Sequence, residues 1–382
     1  MIEDDLNQGG RNYRLSVIVP CYNEKETLER CIASVMNIAN DNLTLEIIIV
    51  DDCSTDDSLV TASALAARHS TVRVVQHKKN MGKGAAIRSG IFQATGEFVA
   101  IQDADLEYNP KDLLRLVEPL VAGKADVVIG SRFLASGEHR VLYFWHSLGN
   151  KFLTLLSNML TDLNLTDMEC GYKVFLRDAL KDIVIEENRF GFEPEIVAKM
   201  ATKRLRIYEM PVSYDGRTYA EGKKITWKDG LKAIYCILHY NLPHCPPYVQ
   251  FVAYLFVGGA AAVVNVCPFL FLYSSGLPLA IAAPTAFVIA AAVNYLLSIL
   301  FVFRHRAKWA NILEITIYCL IVLAGAALDL IVTKLCVGMG YSPAIAKIVA
   351  TALVLVFNFA GRRYLVFPLR SRGEWRERMQ RK

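Results

Sequence analysis

The chain has 382 residues, which exceeds the length of one ordinary domain and is typical of two. Its formal net charge of +5 is too small for electrostatics to favour a nucleic-acid partner. The nine cysteines are scattered and form no CxxC pair, so the sequence indicates neither a disulfide framework nor a structural zinc site. Residues 1–240 have the charge density of a soluble protein and residues 248–367 are mostly apolar, which predicts two parts of different kinds.

The first part alternates between short apolar runs and segments of helical periodicity. Runs rich in Val and Ile predict buried strands at 15–19, 46–50, 72–76, 98–101 and 127–129. Helices are predicted between them, near 24–39, 56–68, 83–94 and 110–122. This alternation predicts an α/β fold with a doubly wound, mostly parallel sheet, which binds ligands at the carboxyl ends of its strands.

Two further segments, 148–163 and 227–238, carry apolar residues at helical spacing. Such a face either packs on the core or lies in the membrane interface, and the first segment leaves both readings open. The second segment continues through a proline-rich hinge at 243–247 into an apolar stretch, which favours the interface.

The second part contains four long apolar stretches, at 249–273, 278–303, 312–337 and 343–361. Each approaches or exceeds the ~20 apolar residues that a helix needs to cross a bilayer. Arg and Lys are concentrated in the link at 304–308 and in the tail from 362, whereas the links at 274–277 and 338–342 carry no charge. Because cationic segments stay inside, we expect a multi-pass protein of a prokaryotic plasma membrane with both termini and the first part in the cytoplasm.

The triplet Asp103-Ala104-Asp105 directly follows the predicted strand at 98–101. Two carboxylates one residue apart at the end of a strand can bind a hard divalent cation, with Glu107 as a third oxygen donor. A cation at that position would stabilise a departing diphosphate. The triplet therefore predicts a metal-assisted diphosphate site.

The motifs VIVPCYNE (17–24), VDDCSTD (50–56), NMGKG (80–84) and DAD (103–105) resemble family 2 glycosyltransferases of the GT-A fold. The motifs GSR (130–132), DMECGYK (167–173) and RTYAEGKK (217–224) resemble the dolichyl- and polyprenyl-phosphate hexose synthases. This resemblance covers roughly residues 14–241, and the apolar part resembles the GtrA-like membrane domain. It implies a GT-A catalytic domain at 1–225, an interface helix and hinge at 226–247, a four-span membrane domain at 248–367 and a basic tail at 368–382.

The resemblance also implies roles for single residues. The residues implied to bind the nucleotide sugar are Pro20, Tyr22, Glu24, Val50, Asp52, Lys83, Asp103, Ala104, Asp105, Arg132, Arg217 and Lys223. Within this set, Asp52 would accept hydrogen bonds from the base, and the cationic side chains would meet phosphate groups. The residues implied to hold Mg²⁺ or Mn²⁺ are Asp103, Asp105 and Glu107.

The implied acceptor is the phosphate of a long polyisoprenoid, which is largely a dianion at neutral pH. Such an oxygen needs little help from a general base, so catalysis should depend on the leaving group and on positioning, with direct displacement inverting the sugar. Asp105 and Arg217 would act on the diphosphate, and Asp167 would orient the acceptor or act as a weak base.

The identity of the donor stays open in the sequence. The segments 167–173 and 221–224 are closer to the glucosyl branch, which favours UDP-glucose, with GDP-mannose as the alternative and other UDP-hexoses also compatible. A processive polysaccharide synthase is disfavoured because the chain contains no QxxRW. A lipid-sugar translocase or scaffold with a degenerate catalytic head would have lost acidic motifs, and none is lost; a homo-oligomer is compatible with every reading.

Overall fold

The structure is a computed structural model that describes residues 12–134, 141, 143–216, 227–303 and 311–367. It divides into two compact units, Met1–Asn241 and Leu242–Lys382. The first unit is built around a seven-stranded sheet, and the described part of the second is helical. The domain bounds predicted from the sequence, 1–225, 226–247, 248–367 and 368–382, remain a prediction, because the division into two units does not test them.

The sheet has the order β3-β2-β1-β4-β6-β5-β7. Its strands are β1 Tyr13–Cys21, β2 Leu43–Asp51, β3 Val72–Gln76, β4 Phe98–Ile101, β5 Val127–Ser131, β6 Lys173–Leu176 and β7 Ile207–Pro211. All pairings are parallel except those of β6, which runs antiparallel to both β4 and β5. The five predicted strands correspond to β1–β5, and the prediction of a mostly parallel α/β sheet is confirmed.

Helices cover both faces of this sheet. They are α1 Leu28–Met36, α2 Ser58–Arg68, α3 Lys83–Gln93, α4 Asp112–Val121, α5 Phe144–Thr161, α6 Arg177–Leu180, α7 Phe192–Lys203 and α8 Trp227–Asn241. Neighbouring residues of β1 point to opposite faces: Val17 and Val19 pack with α1, α2 and α4, and Ile18 packs with α3 and α7. A strand buried on both faces reads as a continuous apolar run, which explains why these strands were recognisable.

The strand order reverses at β1, which lies between β2 and β4. In such sheets the connections leave in opposite directions from the two neighbouring strands, and a crevice opens at their carboxyl ends. The loop that begins at Tyr22 follows β1, and the loop that contains Asp103 follows β4. The topology therefore places these two loops side by side at the crevice.

The second unit contains α9 Pro247–Ser274, α10 Leu279–Leu297, α11 Asn311–Gly338 and α12 Pro343–Gly361. Two π-helical turns, Ser298–Phe303 and Arg362–Val366, follow α10 and α12. Among the described residues, three helical stretches are long and apolar enough to cross a membrane: Pro247–Leu272, Ile312–Gly338 and Val349–Val366. The apolar stretch at Val288–Phe303 is shorter, so the span predicted at 278–303 stays a prediction.

Candidate active site

A cavity of about 790 Å³ opens in the first unit at the carboxyl edge of the sheet. The sequence-predicted residues that line it are Pro20, Tyr22, Glu24, Asp52, Lys83, Asp103, Ala104, Asp105, Glu107 and Arg132. The structure thus brings together residues that lie far apart in the chain. Of the remaining predicted residues, Val50 and Asp167 do not line the cavity, and Arg217 and Lys223 lie outside the described residues.

Val50 is fully buried near the end of β2 and packs in the core with Ile18 and Ile48. Its side chain offers no surface to a nucleotide, because it points into the face of the sheet that α3 covers. Asp52, which follows the end of β2, is the residue of this strand end that lines the cavity.

The loops after β1 and β2 are tied to each other by hydrogen bonds. The backbone N–H of Asn23 donates to Ser54 Oγ at 3.1 Å, and that of Glu24 donates to Ser58 Oγ at 2.8 Å. Asn23 and Cys53 have positive φ angles of 54° and 61°, a conformation that non-glycine residues rarely adopt. Backbone strain of this kind persists where the surroundings enforce it, and it is common at binding sites.

Asp52 holds the loop that precedes α3. Its Oδ1 accepts from the Met81 N–H at 2.8 Å and lies 2.7 Å from His77 Nδ1, and its Oδ2 accepts from the Gly82 N–H at 2.6 Å. The His77 ring is fixed in turn by Ser89 Oγ, 2.9 Å from Nε2. Asp52 therefore shapes one wall of the cavity, and its predicted contact with the base stays a prediction.

Asp103 forms a charged bridge at the end of β4. Its Oδ1 lies 2.8 Å from Lys83 Nζ, which in turn lies 3.3 Å from Glu193 Oε1. Burial opposes the charge on Lys83, but the carboxylates of Asp103 and Glu193 outweigh it and raise the pKa of the ammonium above its usual range. A Cβ atom at Gly171 would lie 2.6 Å from Asp103 Oδ2, so a larger residue there would displace this carboxylate.

The predicted trio of metal ligands is only partly assembled. In the described part of the chain, no three His, Cys, Asp or Glu side chains gather as a metal site. Asp103, Asp105 and Glu107 all line the cavity, and Glu107 Oε2 also accepts a hydrogen bond from the Tyr214 hydroxyl at 2.9 Å. Two carboxylates fit a hard divalent cation that takes its remaining oxygens from substrate phosphates and water.

Arg132 follows β5 and forms a two-point ion pair with Asp167, which is fully buried. Arg132 Nε donates to Asp167 Oδ2 at 2.7 Å, and Nη2 donates to Oδ1 at 2.8 Å. Burial opposes the charge of Arg132, but Asp167 raises the pKa of the guanidinium well above its usual range. The carboxylate of Glu209 accepts from the Asp167 N–H at 3.0 Å and fixes this segment. Asp167 therefore holds Arg132 in place, and the predicted role of Asp167 towards the acceptor stays a prediction.

Glu169 and Glu193 also line the cavity, and the sequence assigned neither of them a role. Burial, followed by the charge of Glu193, raises the pKa of the Glu169 carboxyl to about 8. One oxygen of each, Glu169 Oε1 and Glu193 Oε2, is buried without a hydrogen-bond partner in the described structure. Buried polar atoms are normally paired, so these oxygens are suited to accept or donate hydrogen bonds to a bound substrate.

Helix α5 joins the cavity to an exposed apolar surface. One face of α5 packs inward through Leu153 and Ser157, and its first turns border the cavity through Trp145 and His146. A stripe of apolar residues on the opposite face is between 46% and 79% exposed: Phe144, Trp145, Leu148, Phe152, Leu155 and Met159. A contiguous exposed apolar surface of this kind is typical of contact with a membrane or a partner.

Helix α8 exposes fewer large apolar side chains than α5 among the described residues. It buries Ala233, Cys236 and Ile237 in the first unit, where α8 packs against α5 and α7. Leu231 is exposed on the same helix. Packing therefore accounts for one face of α8, and the predicted contact of its other face with the membrane interface stays a prediction.

Comparison with protein families agrees with this architecture. Residues 16–184 match the model for glycosyl transferase family 2, and residues 253–367 match the model for the GtrA/DPMS transmembrane domain. The first match begins within β1 and extends past β6, so it includes the acidic turn, and the second begins within α9 and includes α10, α11 and α12.

Individual relatives span the chain to different extents. A dolichol-phosphate mannosyltransferase of Pyrococcus furiosus is 26% identical over 92% of this chain and 97% of its own length. A dolichyl-phosphate beta-glucosyltransferase of Trichomonas vaginalis is 29% identical over 53% of this chain and 65% of its own length. Among solved structures, glucosyl-3-phosphoglycerate synthase of Mycobacterium tuberculosis, with Mn²⁺ and UDP, has a TM-score of 0.48 at 22% identity, covering 60% of this chain and 80% of that chain.

The doubly wound sheet with its acidic turn, the membrane-length helices and the two family matches agree with one another. The chain is therefore a membrane protein and a glycosyltransferase, with a glycosyl transferase family 2 domain at residues 16–184 and a GtrA/DPMS transmembrane domain at residues 253–367.

Proposed function

We propose that the protein transfers a hexose from a nucleotide sugar to a polyprenyl or dolichyl phosphate at the cytoplasmic face of a membrane, with inversion at the anomeric carbon. The observation that carries the proposal is the composition of the cavity wall. Carboxylates suited to a metal-bound diphosphate, a buried arginine suited to phosphate, and the start of the apolar helix α5 all border one cavity. A soluble donor and a lipid acceptor are the two substrates that need such a combination.

Each part of the wall has a chemical task in this reaction. Asp103 and Asp105 would hold Mg²⁺ or Mn²⁺, which when bound supplies positive charge to the leaving diphosphate. Arg132 presents a guanidinium that Asp167 fixes in one orientation, and the fork geometry suits phosphate oxygens. Arg217 and Lys223 are proposed to add further cationic contacts. The acceptor phosphate is already a dianion, so the site has to position its oxygen rather than deprotonate it.

The exposed stripe on α5 supports a lipid acceptor. Its aromatic and aliphatic side chains can enter the headgroup region while the opposite face stays packed on α7 and α8. The concentration of Arg and Lys at 304–308 and beyond 362 supports a cytoplasmic location of the catalytic unit. A translocase or scaffold without transferase activity is disfavoured, because Asp103 and Asp105 are both present and both line the cavity.

We propose UDP-glucose as the donor, with GDP-mannose as the alternative. The motif at 167–173 supports glucose, whereas the relative that covers nearly the whole chain is named as a mannosyltransferase. The test is a panel of radiolabelled UDP-glucose, GDP-mannose and other UDP-hexoses with purified full-length protein and polyprenyl phosphate. Label from one donor should appear in a chloroform-soluble product that mild acid cleaves; if no donor gives such a product, the proposed function is wrong.

The metal-dependent step is tested by Asp103→Asn and Asp105→Asn variants. Each removes one negative ligand, and we expect turnover to fall by about 100-fold or more, a barrier increase of about 2.7 kcal/mol. Asp182→Asn is the matched control, because Asp182 is exposed and pairs only with Lys203 among the ion pairs of the described residues. A chelator should abolish turnover of the wild type and excess Mg²⁺ or Mn²⁺ should restore it; full turnover in the chelator contradicts the assigned roles.

A further inference from the structure

Two neighbouring arginines, Arg362 and Arg363, begin the π-helical turn that follows α12. Arg362 is buried, and its Nε has no hydrogen-bond partner in the described structure. The Nε and Nη1 atoms of Arg363 are likewise buried without a partner. A buried guanidinium without full pairing is costly, so these three nitrogens indicate a ligand that accepts hydrogen bonds.

The groups that surround Arg362 in the described residues are neutral. Its Nη2 donates to the Tyr318 hydroxyl at 3.3 Å, and its Nη1 donates to Ser298 Oγ at 3.4 Å and to Asn294 Oδ1. The guanidinium carbon lies 5.2 Å from the ring centroid of Tyr254 and 4.9 Å from that of Tyr318. Hydroxyl, amide and aromatic groups orient a cation, but they do not supply the negative charge that would balance it.

Arg363 has even fewer contacts. The ring of Tyr364 lies 5.5 Å from its guanidinium carbon. Glu314, a buried carboxylate of the same unit, accepts a hydrogen bond from the Tyr295 hydroxyl at 2.7 Å. The described contacts of the two arginines therefore place two positive charges side by side without a carboxylate bound to either.

The position of the pair suggests where the negative charge comes from. Asn294 and Ser298 lie at the end of α10, Tyr318 lies near the start of α11, and Arg362 follows α12. These are the helix ends next to the cationic link at 304–308 and the cationic tail, which mark the cytoplasmic side. Anionic lipid headgroups are abundant at that depth, and basic pockets between membrane helices on that side bind them.

We propose that Arg362 and Arg363 bind the phosphate headgroup of a membrane lipid. Two guanidinium groups offer forked donors that match phosphate oxygens, and the neutral groups around Arg362 hold the first fork in place. The phosphate belongs to a polyprenyl phosphate or to a phospholipid, which present the same anionic oxygens. The site lies within the membrane unit, and its test measures binding rather than sugar transfer, so its failure is distinguishable from failure of the proposed function.

The test is native mass spectrometry of delipidated full-length protein with four probes: polyprenyl phosphate, phosphatidylglycerol, diacylglycerol and inorganic phosphate. We expect at least one phosphate-bearing lipid to bind at least tenfold more tightly than diacylglycerol. Arg362→Gln and Arg363→Gln should each weaken that binding at least tenfold, and the lipid affected identifies the source of the phosphate. Lys334→Gln, which removes an exposed positive charge from α11, is the matched control and should leave the Kd within twofold.

Two outcomes overturn the proposal. One is that both arginine variants bind every phosphate lipid as tightly as the wild type does. The other is that inorganic phosphate competes with the lipid at equal concentration, which would assign the site to free phosphate. Arg363→Gln leaves the contacts of Arg362 with Tyr318 and Ser298 in place, so it keeps the test decisive if Arg362→Gln does not fold.

Discussion

The substitution Asp167→Asn examines the pair that fixes Arg132. It keeps the shape of the side chain, removes the negative charge and leaves a buried guanidinium unpaired. Breaking one partner of a buried ion pair costs about 3–5 kcal/mol. For a unit of this size each kcal/mol corresponds to about 2–4 °C, so the melting temperature should fall by about 6–20 °C. Turnover should fall at least tenfold, because Arg132, which we propose to contact phosphate, no longer has a fixed orientation.

The measurement is differential scanning fluorimetry of the full-length protein in detergent, with turnover measured on the same preparation. Asp126→Asn is the matched control: Asp126 precedes the same strand, β5, and forms a comparable pair with Arg206, but that arginine is 56% exposed. Exposed pairs contribute at most about 1 kcal/mol, so this variant should lose only a few degrees and keep its turnover. If Asp167→Asn is no less stable and no less active than Asp126→Asn, the buried pair has neither of the roles assigned to it.

Two further predictions concern the same wall of the cavity. Because the pKa of Glu169 is raised from 4.5 to about 8, the folded protein holds a proton that the unfolded chain releases, so Glu169 makes stability fall as pH rises through that window. The melting temperature of Glu169→Gln should therefore rise relative to that of the wild type as the pH increases from 5 to 8. The corresponding free-energy difference has an upper limit on the order of 5 kcal/mol. A difference that does not change with pH would contradict the raised pKa of Glu169. Gly171→Ala should displace Asp103 and lower turnover about tenfold or more, because the added Cβ would lie 2.6 Å from the carboxylate. The control Gly258→Ala adds a methyl group with nothing within 4 Å and should leave turnover unchanged, so equal effects of the two would refute the steric argument.

Much of the site was predictable because it follows the parallel strands. The residues around Tyr22, Asp52 and Asp103 come after β1, β2 and β4, and the carboxyl ends of parallel strands meet at one edge of the sheet. Apolar runs identified those strands, and polar residues after them identified the edge. The sequence could not show that the Val50 side chain points into the core. A strand buried on both faces has no alternation of apolar and polar residues, so the pattern does not indicate which side chain faces the site.

The place of Glu169 in the cavity wall was not predicted, because it depends on the topology of the sheet. Glu169 precedes β6, which runs antiparallel to its two neighbours. The residues before β6 therefore lie at the same edge of the sheet as the residues that follow the parallel strands. No strand was predicted at Lys173–Leu176, so nothing in the sequence indicated the direction of β6. The partnership of Asp167 with Arg132 was equally hidden, because it joins residues 35 positions apart and depends on tertiary packing.

The exposed stripe on α5 changes how the enzyme would meet its acceptor. If each of the six apolar side chains gains about 1 kcal/mol on entering the headgroup region, half of what full burial of a large side chain provides, the helix gains about 6 kcal/mol. That gain corresponds to a partition coefficient of roughly ten thousand in favour of the lipid surface. The catalytic unit would then rest on the bilayer through its own surface, and its encounter with a carrier lipid would become a lateral search in two dimensions.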